Sequence, residues 1–150
     1  PIFFLLDEAS SLNLTNILPI AISNIRKANA GILMIYQSQS QLFDMYGASQ
    51  GRNILDNSFA KVYLPGQGLE VCKELEQLMG KYEFLDENNA KVVRSLLTTD
   101  EIRTSKESII LCGNAAPIKR KLVPYYEQRN LKALSEIPQF VKPINNTQNS

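Results

Sequence analysis

An uninterrupted apolar run, Ile2-Phe3-Phe4-Leu5-Leu6, followed at once by Asp7-Glu8, constrains this chain more than any other segment. A strand with one face in water alternates apolar and polar residues, whereas a strand covered on both faces reads as a continuous apolar run. The segment is therefore expected to be a strand of a parallel sheet sandwiched between helices. A second such run, Ile32-Leu33-Met34-Ile35-Tyr36, follows Gly31. Between the two, Leu14, Ile17, Leu18, Ala21, Ile25 and Ala28 recur at three- and four-residue steps. That spacing predicts an amphipathic helix over 15–28, with Pro19 in its first turn and Asn29-Ala30-Gly31 closing it. Strand, helix and strand in so short a stretch imply a right-handed crossover. The fold class read from the sequence is thus α/β, with a mostly parallel sheet and flanking helices.

Further along, a short helix is expected near Gln41 to Tyr46, then a loop holding Gly47 and Gly51, then a helix around Arg52 to Ser58. Ala60 to Leu64 reads as a third strand stopped by Pro65-Gly66. Leu69, Cys72, Leu75, Leu78 and Met79 mark the inner face of a second long helix that ends at Gly80. Residues 82–93 are too charged and irregular to assign. Thr98-Thr99-Asp100-Glu101 signals the start of a short helix, its acids near the positive end of the dipole. Ser108 to Cys112 and Ile118 to Val123 flank Gly113-Asn114-Ala115-Ala116-Pro117 and read as a β-hairpin at the edge of the sheet. Beyond Tyr126 the periodicity fades, and residues 138–150 are expected to be disordered for want of apolar surface to bury.

Composition narrows the functional classes. With 150 residues, 44% of them hydrophobic, the chain can bury one sizeable core. Sixteen basic residues against 15 acidic ones give no field strong enough to attract nucleic acid or a membrane unaided, so any DNA contact is local. The chain has no histidine and its cysteines, Cys72 and Cys112, lie far apart, which excludes zinc spacing and a Cys/His nucleophile. Both thiols are expected to be buried and reduced. No apolar run approaches the roughly 20 residues needed to cross a bilayer, so the piece is expected to be soluble.

The chemistry is expected where the strands end. In open parallel sheets ligands bind outside the carboxyl ends of the strands, and here those ends carry Asp7-Glu8 and Gln37. An apolar strand closing on Asp-Glu is the Walker B pattern: the Asp holds Mg²⁺, commonly through water, and the Glu orients and deprotonates the attacking water. A neighbouring glutamine can sense the γ-phosphate. The same residues also suit a strand that simply ends in a solvated acidic turn. Gln39 and Gln41 are read as capping and packing residues, Lys119-Arg120-Lys121 as charge protecting an edge strand rather than a DNA contact, and Tyr125-Tyr126 as closing a core.

Two stretches carry a specific resemblance: Phe4-Leu5-Leu6-Asp7-Glu8-Ala9-Ser10-Ser11-Leu12 and Tyr36-Gln37-Ser38-Gln39-Ser40-Gln41-Leu42-Phe43-Asp44-Met45-Tyr46-Gly47. They resemble the Walker B motif and the Gln-Ser-x-Ser-Gln-Leu…Tyr-Gly motif of type IV secretion coupling proteins, the TraG/TraD class, relatives of FtsK-type DNA translocases. Asn53-Ile54-Leu55-Asp56-Asn57, Tyr63-Leu64-Pro65-Gly66 and Leu96-Leu97-Thr98-Thr99-Asp100-Glu101 agree with it. Ala9 stands where the family often has Phe. The resemblance implies that residues 1–127 are the C-terminal half of a RecA-like ATPase domain from Walker B onward, with 128–150 as a tail. It implies ATP and Mg²⁺ as ligands of a membrane-anchored homo-hexamer that recruits a relaxase-bound DNA strand, with its accessory proteins, and drives it toward the type IV secretion channel. By the same carry-over Asp7 is the Mg²⁺-associated acid, Glu8 the catalytic base and Gln37 the γ-phosphate sensor. Arg26 is the helix arginine that reaches a neighbouring subunit's nucleotide; the alternative reading of its position is a solvated helix cation. No G-x-x-x-x-G-K-[ST] is present, so the chain as it stands is expected not to hydrolyse ATP. Its opening directly on a strand fits an expected boundary inside a larger domain, with the P-loop, membrane helices and an inserted all-α domain ahead of it.

Overall fold

In a computed structural model, residues 2–12 and 14–136 are described, and the side chain of Arg26 is not. The first apolar run forms β1 (Ile2–Leu6), and the second supplies only the end of β2 (Ala30–Met34), which starts two residues earlier than expected and stops before Ile35 and Tyr36. They pair in parallel from Ile2 opposite Ala30 to Leu6 opposite Met34. Two further backbone bonds, Ile35 N–H to Leu6 O at 3.0 Å and Ala9 N–H to Ile35 O at 2.9 Å, carry the ladder past the strand ends. The connecting helix α1 (Leu18–Asn24) is shorter than the 15–28 expected. Pro19 lacks an amide hydrogen and fits only a first turn, so α1 starts beside it. Beyond Asn24 the chain tightens into a 3₁₀ turn over Ile25–Ala28, and Asn29 takes a left-handed backbone (φ 51°) before β2.

The helix, loop and helix expected after Gln37 are one bent element, α2 (Gln39–Asn57), capped by the Ser38 hydroxyl, which accepts from the Gln41 amide. Its kink is at Gly47 (φ 75°, ψ 164°), while Gly51 stays within the helix. That backbone region is open almost solely to glycine. A Cβ at Gly47 would meet no atom within 4 Å, so the cost of Gly47→Ala is conformational and is expected to be about 1–3 kcal/mol. Chemical denaturation measures it, and an unchanged midpoint would show that the bend relaxes freely. Leu18 from α1 and Leu42, Tyr46 and Ile54 from α2 form the first core, against which Leu6, Ile32 and Met34 pack.

A second core gathers around α3 (Leu69–Met79), whose Cys72, Leu75 and Met79 meet Ile102 of α4 (Thr99–Thr104) and Ile109 of β6 (Glu107–Cys112). β3 (Ala60–Tyr63), β6 and β7 (Ile118–Lys121) make a sheet in the order β3-β6-β7, antiparallel throughout. The β6–β7 hairpin is as expected. The α/β class therefore holds, but parallel pairing among the described residues is confined to β1 and β2, not spread over most of the sheet. An apolar run marks a strand as apolar on both faces and says nothing of its neighbours' direction, and β6 reaches β3 running the opposite way.

The unassigned stretch is a second hairpin, β4 (Lys81–Leu85) and β5 (Lys91–Ser95). Gly80 ends α3 at φ 78°, and the Asp86 carboxylate accepts the amides of Asn88 and Ala90 to form the turn. Glu76 of α3 accepts from Ser95 Oγ and Thr99 N, each at 2.8 Å, and from the Thr99 hydroxyl. Those bonds, the Thr99 hydroxyl first among them, hold its carboxyl below the usual range. Thr98 and Glu101 form a capping box at the start of α4, as the motif predicted. A seven-residue helix, α5 (Arg129–Ser135), lies where periodicity had faded. The expectation of disorder over 138–150 concerns residues outside those described.

Three expectations about burial need correction. The apolar face of β1 is open, with Phe3 79% exposed, because the described residues supply no second layer over it. Cys72 is buried, and burial raises its thiol pKa, but Cys112 is only half-buried near the end of β6. Tyr125 and Tyr126 do not close a core: they are exposed and pack edge to face against each other, ring centres 5.6 Å apart, on a 3₁₀ turn. No helix among the described residues is long and apolar enough to cross a membrane.

Candidate active site at the ends of β1 and β2

The parallel register brings Asp7-Glu8 and Gln37 to one sheet edge, since Leu6 lies opposite Met34. Glu8 takes a left-handed backbone (φ 53°, ψ 52°), uncommon for a residue with a side chain. Its carbonyl accepts from the Ser11 amide at 2.8 Å and the Ser11 hydroxyl at 2.9 Å, which closes a 3₁₀ turn over Ala9–Ser11. Ala9, the first residue of that turn, is fully buried and its amide donates to Ile35 O. The turn therefore anchors the backbone of Glu8 while leaving its carboxylate exposed.

Gln37 Nε2 donates to Glu8 Oε1 at 2.7 Å. The Gln37 amide N–H donates to Gln41 Oε1 at 3.2 Å, and Gln41 Nε2 reaches Gln37 Oε1 at 3.5 Å. Gln41 thus braces Gln37, whereas helix capping, expected of Gln39 and Gln41, falls to Ser38. Gln39 instead donates to Glu74 Oε2 on α3 at 3.0 Å. Neither Glu74 nor its second partner Arg52 was singled out in the sequence, because nothing local marks a pair 22 residues apart. Asp7 is exposed beside Glu8 in the turn that follows β1. Arg26 lies on the 3₁₀ turn before β2.

Away from this edge, Lys119 pairs with Glu107 across the hairpin at 3.1 Å, which accords with a charged edge strand. Beneath the site, the hydroxyls of Tyr36 and Tyr46 are buried, and burial raises both phenol pKa values. The chemistry of the edge suits one side of a nucleotide site. Two adjacent carboxylates and a glutamine amide are oxygen ligands of the kind Mg²⁺ takes, and Glu8 Oε1 already accepts a hydrogen bond from Gln37. No group of three metal-ligating side chains occurs among the described residues, and the sequence has no glycine-rich phosphate cradle. The residues fit the acidic, water-directing half of such a site and not its phosphate-cradling half.

Comparison with known families decides the lineage. The profile of the family described as the TraM recognition site of TraD and TraG matches residues 1–109. The chain belongs to that family. Within the wider coupling-protein group it is 26% identical over 151 aligned residues to Protein VirD4 of Rhizobium radiobacter, covering 90% of this chain and 22% of that protein. VirD4 of Agrobacterium fabrum (strain C58 / ATCC 33970) is 25% identical over the same length. The chain thus spans less than a quarter of the length of these family relatives. In fold it is similar to the plasmid coupling protein TrwB in complex with ADP and Mg²⁺, with a TM-score of 0.68 at 23% identity, over 81% of this chain and 30% of TrwB. The unbound bacterial conjugative coupling protein TrwBdeltaN70 superposes equally well, at a TM-score of 0.69. The mixed α/β architecture, with one parallel pair, antiparallel sheets and flanking helices, is therefore that of a coupling-protein domain.

Proposed function

We propose that this chain is the hydrolytic and coupling half of a conjugative coupling-protein ATPase, in a homo-hexamer that recruits relaxase-bound single-stranded DNA and drives it through a type IV secretion system. The observation that carries this reading is the Gln37 to Glu8 hydrogen bond at the carboxyl ends of the parallel pair. In the proposed site Asp7 holds Mg²⁺, and ATP supplies the phosphoanhydride whose cleavage powers movement. Glu8 takes a proton from water, and Gln37, braced by Gln41, holds that water and responds to the γ-phosphate. The family resemblance assigns Arg26 to the nucleotide of the adjoining subunit. The phosphate cradle and the inner-membrane anchor of the whole protein come from segments outside these residues, and this part faces the cytoplasm.

ATP turnover by the intact protein, with and without single-stranded DNA, tests the reading. Turnover that rises with DNA is the expected result, and none under either condition overturns it. The family's description as a recognition site favours a second reading, a recruitment module for relaxosome proteins without a catalytic role. Under that reading relaxosome binding persists and the strand-end acids are dispensable for every activity.

A further inference from the structure

The two hydrophobic cores share no residue: Leu18, Leu42, Tyr46 and Ile54 form one, and Cys72, Leu75, Met79, Ile102 and Ile109 the other. α2 belongs to the first and α3 to the second. Between them runs a groove of about 720 Å³ whose lining includes Gln39, Phe43, Arg52 and Glu74. Glu74 bridges it. Its Oε2 accepts from Gln39 Nε2 at 3.0 Å and its Oε1 from Arg52 Nη1 at 2.6 Å. The Arg52 guanidinium also lies over the Phe43 ring, 5.4 Å from its centre. A Cβ at Gly51 would sit 2.5 Å from Phe43 Cδ1, so glycine there lets the ring lie close to the helix backbone. One carboxylate on α3 therefore grips α2 on both sides of its Gly47 kink, at Gln39 and at Arg52.

Residues two apart on a helix point to nearly opposite sides. Gln39 turns to α3, and Gln41 turns to Gln37 and so toward Glu8. We infer that Glu74 is a positioning residue for the strand-end site: by holding the first turn of α2 against α3, it sets where Gln41 and Gln37 stand opposite Glu8. This rests on the hydrolytic reading above. The Glu74 and Arg52 side chains are 29% and 53% exposed, so the pair adds little to global stability, and its effect falls on orientation. Through Glu76, two residues on, α3 also holds Ser95 of β5 and Thr99 of α4, which fixes α3 itself as the platform.

The test uses the intact protein with Glu74→Ala and, as a milder variant at a half-exposed position, Gln39→Leu. Without nucleotide, hydrogen exchange of peptides covering residues 37–46 is expected to quicken about fivefold to tenfold while the α3 core stays protected. Turnover is expected to fall about tenfold in kcat with KM for ATP within about twofold, the pattern of a misplaced group rather than lost binding. Glu74→Gln, whose single carbonyl oxygen replaces only one of the two acceptor positions, is expected to recover part of the loss. Unchanged exchange over 37–46, or an equal rise across α3, overturns the positioning role. So does a wild-type kcat in Glu74→Ala when Glu8→Gln has stopped turnover. If Glu8→Gln instead leaves turnover intact, the hydrolytic reading has failed, and the exchange result still decides whether Glu74 holds α2.

Discussion

Glu8→Gln is expected to stop ATP turnover by the intact protein while leaving nucleotide binding in place. Glutamine has the same shape as glutamate and keeps an oxygen to accept the 2.7 Å bond from Gln37 Nε2. The 3₁₀ turn is held through the Glu8 carbonyl, not its side chain, so Ser11 keeps both of its bonds to it. The left-handed backbone at residue 8 is no harder for glutamine than for glutamate. What is lost is the proton acceptor, and removing a positioned general base lowers the rate by about 10²–10⁴. Fluorescent-nucleotide titration beside steady-state turnover separates the two effects. Turnover within a few-fold of wild type would remove Glu8 from the chemistry and leave the recruitment reading in front.

Leu75→Ala is expected to be the most destabilising simple truncation in the second core. Leu75 is fully buried in the middle of α3, in one cluster with Cys72, Met79, Ile102 and Ile109. Shortening it removes contacts from a helix and a sheet at once and opens a cavity that close-packed neighbours fill only in part, a loss of about 2–5 kcal/mol. Leu78 on the same helix is 55% exposed, and Leu78→Ala is expected to stay within about 0.5 kcal/mol. Urea unfolding of the two variants makes the comparison. Equal midpoints would show that the groove side of α3 is covered as deeply as its core side. The contrast matters for the site because α3 is the platform on which Glu74 stands.

Much of this was legible in the sequence, and the legible parts share a cause. The runs at Ile2–Leu6 and 32–36, the steps of Leu69, Cys72 and Leu75, the Thr98 to Glu101 cap and the turn at 113–117 are signals written within a few residues of one another. They foretold β1, β2, α3, α4 and the β6–β7 hairpin. Because a parallel pair aligns its carboxyl ends, they also foretold that Glu8 and Gln37 would meet. The Pro19 and Gly47 adjustments are refinements of the same local rules.

The sequence by itself determined the local elements and the edge to which the acids and the glutamine are delivered. Tertiary structure alone decided that β3 and β6 run antiparallel, that Phe3 and its neighbours are left uncovered by the described residues, and that Gln39 turns away from the site to Glu74. The physical reason is range. Periodicity, caps and turns act over one or two helical turns. Strand direction, burial and the meeting of Arg52 with Glu74 depend on which distant surfaces come together.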